Sequence, residues 1–272
     1  MKFSIILATY NRSQILPRAI DSVVSQTYLN WTLYIVDDGS TDDTKSIVKP
    51  YLFDSRIRYI RLKKNKGKMN ALNIGMNHVR TDGADWFTLM DDDDQLIHDS
   101  LDFVFSQICR HPDCGLFIFS ALGLDGSSIT HMKITGSRDY LWNRMLTKNI
   151  THDAHEFGAV CFLDNLYFYA PARSAMLRIF FGEFSLKAGS VFYDRPTIVK
   201  EYLPEGITMT RRKQTRRKRM EGRLMRTRHR LHVWHRVIKQ HPRNFFVYCV
   251  YGNFFFHFIQ YRILSWLFSI FR

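Results

Sequence analysis

The sequence predicts an α/β fold with a mainly parallel sheet, helices on both faces and a helical C-terminal tail. Short apolar runs alternate with helix-periodic segments over the first hundred residues. The runs are apolar at consecutive positions, as in strands that are buried on both faces. Polar clusters follow three of these runs directly. In open parallel sheets, ligands bind at this edge, outside the carboxyl ends of the strands.

The individual elements of the first part follow from the apolar periodicity. Their order (strand, helix, strand, helix) predicts a parallel sheet with right-handed crossovers. The predicted strands cover residues 3–8, 32–36, 57–62 and 86–90, and the predicted helices carry Leu16 to Val24, begin near Thr41 or Asp42, and carry Leu72 to Val79. Beyond residue 105 the pattern is weaker, with a predicted strand at 116–122 and a predicted helix at 138–150.

Charge divides the chain into two parts. The chain has 272 residues and a formal net charge of +14. Residues 211–272 hold 16 basic residues and one acidic residue, whereas residues 1–210 hold 23 basic and 24 acidic residues. We therefore predict a near-neutral domain over residues 1–210, followed by a basic tail over residues 211–272.

Several classes of protein are disfavoured by what these residues lack. The sequence has four cysteines but no C-x-x-C pair, which disfavours a redox motif or a zinc ribbon. It has no G-x-G-x-x-G after the first strand and no Walker loop, which disfavours dehydrogenases and P-loop enzymes. The first apolar run is six residues long, too short for a signal peptide, so we expect a cytoplasmic body.

Four consecutive aspartates, residues 91–94, follow the fourth predicted strand without a spacer; we call them the acidic motif. Like charges so close together raise one another's pKa or require a cation. Oxygen ligands without His or Cys favour Mg²⁺ or Mn²⁺, which commonly bridge carboxylates to a ligand's phosphates. The alternative is a solvated acidic loop. We favour the metal–diphosphate site because Asp37 and Asp38 end a neighbouring strand.

Four segments resemble the family 2 glycosyltransferases that build bacterial cell-surface glycans. They are residues 4–12 (SIILATYNR), 35–42 (IVDDGSTD), 65–68 (NKGK) and 89–94 (LMDDDD), in the family's order and spacing. The resemblance implies a GT-A fold, a sugar-nucleotide donor and inversion at the anomeric carbon. It also implies that residues 1–105 bind the nucleotide and that residues 106–210 bind the acceptor.

The resemblance further implies roles for individual residues. A pocket for uridine and ribose is lined by Thr9, Tyr10 and Asp38, and Lys68 lies near the base or the phosphates. Asp91 and Asp93 form the metal pair, with Asp93 nearest to Mn²⁺ or Mg²⁺. The donor-binding residues implied in this way are Thr9, Tyr10, Asn11, Arg12, Asp38, Lys68, Asp91 and Asp92.

The catalytic base is less well marked. Family members place it in an acidic stretch of the second half, often Glu-Asp. Here Glu183 stands without a following Asp, and Asp153 is the alternative. Residues 193–196 and 200–202 resemble a strand pair seen in many members.

The tail predicts a peripheral attachment to an anionic membrane surface, on the inner face of the cell membrane. Its basic segment is amphipathic. Residues 245–271 contain twelve aromatic residues, which a nucleic-acid role would leave unexplained, so we expect no nucleic-acid partner. The alternative is a homodimer formed through the C-terminal helix.

Together these features predict a metal-dependent inverting glycosyltransferase of the hexosyltransferase type. Its donor is expected to be UDP-linked, and its acceptor to be a lipid-linked or cell-surface glycan of polysaccharide or lipopolysaccharide biosynthesis. The alternative function is a non-catalytic module that keeps the fold and binds a sugar nucleotide or a polyanion. Metal-dependent hydrolysis of a UDP-sugar without acceptor would distinguish the two.

Overall fold

A computed structural model describes residues 1–146, 149–151, 153–164, 166–168 and 177–203, with ten isolated positions between 227 and 259. The chain forms two compact units. The first comprises Met1–Asp139 and Asn149–Glu201, and the second comprises Tyr140–Lys148 and Tyr202–Arg272. Apart from the isolated positions, the predictions for residues 211–272 fall outside the described residues.

The first part of the chain alternates strands and helices, as its apolar periodicity predicts. A short 3-10 turn follows the second helix. The elements are β1 (Phe3–Thr9), α1 (Leu16–Val24), β2 (Trp31–Asp37), α2 (Thr44–Val48), β3 (Ile57–Arg61), α3 (Lys68–Thr81), β4 (Trp86–Asp91), β5 (Asp94–Leu96) and α4 (Ser100–Arg110).

The later part is richer in strands than the sequence predicts. Its elements are β6 (Cys114–Gly123), β7 (His131–Met132), β8 (Gly136–Ser137), β9 (Ile150–Thr151), β10 (His155–Ala159), α5 (Leu177–Phe184) and β11 (Gly189–Lys200). Of the helix predicted at 138–150, the described residues form a six-residue π-helix, Leu141–Leu146. Strand pairing takes up residues on both sides of it, since β8 pairs with β11 and β9 pairs with β7.

One large sheet forms the centre of the first unit, and it confirms the predicted α/β class. Its order is β3-β2-β1-β4-β10-β6-β11-β5. The first four strands are mutually parallel. Every residue of β1 and β2 is buried, as expected for strands covered on both faces. β10 then runs antiparallel to both β4 and β6.

The edge of the sheet formed by β11 and β5 lies close to the carboxyl end of β4. Only Asp92 and Asp93 separate β4 from β5. However, β5 pairs with β11 at the opposite edge of the sheet, in an antiparallel register that places Asp94 beside Lys200. A two-residue connection spans only about 10 Å. The sheet therefore curls, and β11 is brought close to the carboxyl end of β4.

Gly39 allows the β2–α2 loop to lie close to the backbone of the segment before α3. Its φ is +78°, and a Cβ atom there would lie 2.7 Å from the carbonyl carbon of Lys64. Gly126, in a hairpin turn, has a similar φ of +75° but nothing within 4 Å of the same position. Both glycines therefore have a left-handed conformation that would strain another residue, but of the two only Gly39 lacks room for a Cβ atom.

We expect Gly39→Ala to destabilise the protein clearly more than Gly126→Ala. A left-handed conformation costs an L-residue about 1–2 kcal/mol, which applies to both variants. Only Gly39→Ala must also displace backbone, which is costly in a packed interior. Chemical denaturation of both variants measures the difference, and equal losses would contradict this account of Gly39.

Candidate functional site

The loops after β1 and β2 are fastened to each other by Asn11. Its backbone N–H donates to Ser40 Oγ at 2.9 Å, and its side-chain Oδ1 accepts from the Thr41 N–H at 2.8 Å. Asn11 has a φ of 53°, a conformation that asparagine tolerates better than most residues. These hydrogen bonds hold the two loops, and the predicted donor-binding residues on them, close together. Tyr10 is exposed and Thr9 is buried.

The two aspartates that end β2 have different partners. Asp37 is fully buried and accepts hydrogen bonds from the Tyr59 hydroxyl at 2.5 Å and the Ser40 N–H at 2.7 Å. Asp38 accepts from the backbone N–H groups of Lys66 and Gly67, at 2.9 and 2.6 Å. Asp38 therefore stabilises the turn that precedes α3. Lys68, the first residue of α3, follows this turn directly.

Within the acidic motif, the two outer aspartates are paired with lysines. Lys68 Nζ contacts the carboxylate of Asp91. Lys200 Nζ lies 2.5 Å from Asp94 Oδ2, and those two side chains are only 14% and 4% exposed. Burial opposes the charge of Lys200, but the carboxylates of Asp94 and Asp91 raise its pKa above the usual range. Lys200 is therefore an ammonium ion inside the protein.

The two inner aspartates, Asp92 and Asp93, have raised pKa values. Burial raises both to about 6, and crowding by neighbouring carboxylates adds to the shift. Asp91 behaves in the opposite way: burial favours its neutral form, but Lys68 and Lys200 together lower its pKa. Burial raises the pKa of Asp94 as well, to about 7, although Lys200 opposes that shift. Lysine side chains contact Asp91 and Asp94 directly, whereas Asp92 and Asp93 connect these two residues.

Below the acidic motif lies a buried histidine, His155 of β10. Its Nε2 is 2.9 Å from the hydroxyl of Thr88 in β4, and its Nδ1 is 2.8 Å from the hydroxyl of Thr197 in β11. Thr88 donates its own proton to the carbonyl of Glu156 at 2.8 Å. Thr88 must then accept from Nε2–H, and Thr197 must donate to Nδ1.

These hydrogen bonds assign a neutral His155 with its proton on Nε2. Burial, aided by the nearby charge of Lys200, lowers the pKa of His155 to about 3. The residue joins the strand that carries Asp91 to the strand that carries Lys200. It thus contributes a second tie between them.

The two candidates for the catalytic base lie in different surroundings. Glu183 is buried in α5, whose Phe184 packs edge-on against Phe87 of β4. Phe87 precedes Asp91 by four residues, so it lies about 13 Å back along the strand. Asp153 is exposed, and its charge acts on Lys200, which in turn contacts the acidic motif.

The structure brings together most of the residues singled out in the sequence. The loops after β1 and β2, the start of α3 and the acidic motif meet at one sheet edge, and the charges of Arg12 and Lys68 both act on Asp92. Sequence reasoning missed Lys200 and His155. Both residues stand in segments that the sequence analysis considered, but their partners are far away in the chain, so no local pattern indicated their roles.

The chemistry of the acidic motif fits a divalent cation. Among the residues described, no three His, Cys, Asp or Glu side chains form a ready-made metal cage. Mg²⁺ commonly takes one or two carboxylates and completes its shell with water and ligand phosphates. Asp92 and Asp93, with pKa values raised to about 6, are carboxyl groups that a cation would stabilise in their charged form.

A family model described as glycosyl transferase family 2 matches residues 4–168. The chain belongs to this family. GlyG of Streptococcus pneumoniae serotype 4, named a glycosyltransferase, is 23% identical over 201 residues, which are 74% of this chain and 64% of GlyG. EpsE of Bacillus subtilis (strain 168) is 33% identical over 135 residues. The chain spans 48% of the length of EpsE and smaller shares of several other curated relatives.

Solved structures confirm the GT-A fold. The crystal structure of S. aureus TarS 1-349 in complex with UDP-GlcNAc has a TM-score of 0.68 at 19% identity, over 96% of this chain and 81% of that chain. The mannosyltransferase PcManGT from Pyrobaculum calidifontis, in complex with GDP-Man and Mn²⁺, has a TM-score of 0.59 at 16% identity, over 88% and 64% of the two chains.

We expect His155 to make the stability of this family member fall as the pH is lowered. The unfolded chain binds a proton near the usual histidine pKa of 6.5, whereas the folded chain binds it only near 3. Between these values acid favours unfolding, by about 1.4 kcal/mol per pH unit. From pH 7.5 to 4.5 the wild type should lose about 2–3 kcal/mol more than His155→Gln.

Denaturant unfolding at the two pH values measures this difference. The raised pKa values of Asp92 and Asp93 act in the opposite direction, because acid stabilises a folded state in which these groups take up protons. They are present in both proteins and cancel in the comparison. Parallel pH profiles for the wild type and His155→Gln would contradict a neutral, buried His155.

Proposed function

We propose that this protein is a metal-dependent, inverting glycosyltransferase that takes a sugar from a UDP-linked donor. The observation that carries the proposal is the acidic motif at the end of β4, where partly buried carboxylates lie beside Lys68 and Lys200. Membership of glycosyl transferase family 2 supports the reaction class. TarS, crystallised with UDP-GlcNAc, supports the nucleotide.

On the donor side, we assign the uridine and ribose to the loops after β1 and β2, with Thr9, Tyr10 and Asp38. Asn11 holds the two loops together. Lys68 opens α3, where the helix N-terminus favours an anion, and is placed to meet the diphosphate. Arg12, whose charge acts on Asp92, provides a second cation.

The divalent ion would be held by Asp93 with Asp91 or Asp92, and by the donor's phosphates. When bound, it supplies Lewis-acid stabilisation of the charge that develops on the leaving diphosphate. Lys68 and Arg12 would balance the remaining negative charge. In this assignment Asp94 does not contact the ion and stays paired with Lys200.

For the catalytic base we favour Asp153 over Glu183. The base must reach an acceptor hydroxyl and remain ionised near neutral pH. Asp153 is exposed and acts electrostatically on Lys200 beside the acidic motif, whereas Glu183 is buried in the helix that packs on Phe87. Attack by the deprotonated hydroxyl on the face opposite the diphosphate inverts the anomeric carbon.

Asp93→Asn should abolish most of the sugar transfer while leaving the fold intact. The change is nearly isosteric and removes only the charge that holds the ion. Loss of one group that stabilises a transition state electrostatically typically costs about 10²–10³ in rate. Transfer or donor hydrolysis, assayed with Mn²⁺ and with EDTA, measures the effect. Asp113→Asn, at an exposed position, is the control. Full activity in EDTA would contradict the proposed metal dependence.

Asp153→Asn should lower transfer by about 10²–10⁴, because an amide does not accept the proton. Donor affinity should barely change, since the base contacts the acceptor. Glu183→Gln should instead lower thermal stability, because it alters a buried group, and should reduce transfer less. Turnover and UDP affinity of both variants decide between them. A stable Glu183→Gln without turnover, beside an active Asp153→Asn, would return the role to Glu183.

We further propose that the basic tail binds the surface of an anionic membrane and so brings the site to a lipid-linked glycan acceptor. Phe255, Phe256 and Ile259 are helical, share one helix face and are 47%, 67% and 43% exposed. Residues 211–219 add seven basic residues. No helix among the described residues is long and apolar enough to span a bilayer. Apolar insertion and charge together give the two signals that stable anchoring requires.

Replacing the seven basic residues of 211–219 with glutamine should release the full-length protein from phosphatidylserine vesicles at low salt. Each basic residue near such a surface contributes on the order of 1 kcal/mol. Phe255→Ser with Phe256→Ser should weaken binding at all salt concentrations, because it removes the apolar part. Lys45→Gln with Lys49→Gln, exposed positions of the first unit, is the control. A concentration-dependent dimer that ignores vesicles would favour the alternative role of the tail.

A further inference from the structure

The inner aspartates form the entire connection between two strands. β4 ends at Asp91 and β5 begins at Asp94, so Asp92 and Asp93 make a two-residue turn. On one side, Asp91 is in register with Ala8 of β1. On the other side, Asp94 is in register with Lys200 of β11. The turn is therefore fixed at both ends, and β11 provides the second anchor.

The side chain of Lys200 reinforces this anchor. Its ammonium lies 2.5 Å from the carboxylate of Asp94, a side chain that is almost fully buried. The same positive charge reaches Asp91 at the other end of the turn. One lysine thus acts on both residues that flank the inner aspartates.

Lys68 and Lys200 are placed for different tasks. Lys68 begins α3, and its partner Asp91 is 37% exposed, so an incoming diphosphate can compete for Lys68. Lys200 lies in a strand, and its partner is buried. If Lys68 turns to the diphosphate, Lys200 is the cation that remains beside the motif.

We propose that Lys200 is a positioning residue of the cation site. It fixes the turn that presents Asp92 and Asp93 to a divalent cation and a diphosphate. This inference rests on the proposed function, because it assumes that the site binds a nucleotide diphosphate together with a metal. Lys200 acts through Asp94 and the turn, and it need not touch the donor.

The test measures how strongly Mn²⁺ enhances UDP binding, by calorimetry on the full-length protein without acceptor. Lys200→Met should reduce this enhancement by roughly 10–100-fold, the usual cost of losing a group that orients metal ligands. Lys200→Arg, which keeps the charge, should restore most of it. The control is Glu201→Gln. The neighbouring Glu201 pairs with Arg18 of α1, at 2.5 Å, and its loss should leave the enhancement unchanged.

A double variant separates positioning from simple stability. Lys200→Met alone leaves a buried carboxylate unpaired and is expected to destabilise the fold. Asp94→Asn with Lys200→Met removes both charges, and neutral replacements of a buried ion pair often restore stability. We expect this double variant to recover the melting temperature but not the Mn²⁺ enhancement.

The outcomes distinguish the inference from the function on which it rests. If the double variant recovers both its melting temperature and the Mn²⁺ enhancement, the ion pair is structural only and the inference is wrong. The same holds if Glu201→Gln loses the enhancement as fully as Lys200→Met. If the wild type itself binds UDP without any effect of Mn²⁺, the proposed metal-dependent function is wrong, and the inference falls with it.

Discussion

Mutual repulsion among four adjacent aspartates is the constraint on which the rest of this site depends. Carboxylates crowded at the end of a buried strand raise one another's pKa or require cations beside them. The fold supplies Lys68 from the start of α3 and Lys200 from the last strand, and they take the outer pair. Burial raises the pKa values of Asp92, Asp93 and Asp94, and Lys200 opposes that shift at Asp94. The motif can therefore fold, and a further cation would still stabilise its carboxylates in the charged form.

The residues around the acidic motif add little further uncompensated charge to the site. His155 is neutral, with each ring nitrogen paired to a threonine hydroxyl. A protonated imidazole there would add a cation close to Lys200 and break the bond from Thr197. Asp38 accepts hydrogen bonds from backbone N–H groups, and Asp37 accepts one from the Tyr59 hydroxyl and lies 3.5 Å from Arg61 Nε. Charge is thus concentrated where a ligand can reach it.

Local patterns predicted the parallel half of the fold well. Consecutive apolar residues marked β1, β2 and β4, and the polar residues after them marked the edge where the site forms. The same reasoning failed at 138–150, where helical periodicity competes with pairing to strands far away in the chain. The strand pair suggested by the family resemblance, at residues 193–196 and 200–202, is also different in the structure: β11 is one strand from Gly189 to Lys200, with shifts in register around Pro196.

The sequence by itself determined the kind of chemistry, because runs such as the acidic motif and the Asn65–Lys68 segment are contiguous and need no partner to be recognised. Tertiary structure alone decided which carboxylates are compensated. Lys200 is 106 residues from Asp94, and His155 is 67 residues from Thr88. Pairing over such separations is set by the order of the strands and by the curl of the sheet, and neither leaves a mark in the local sequence.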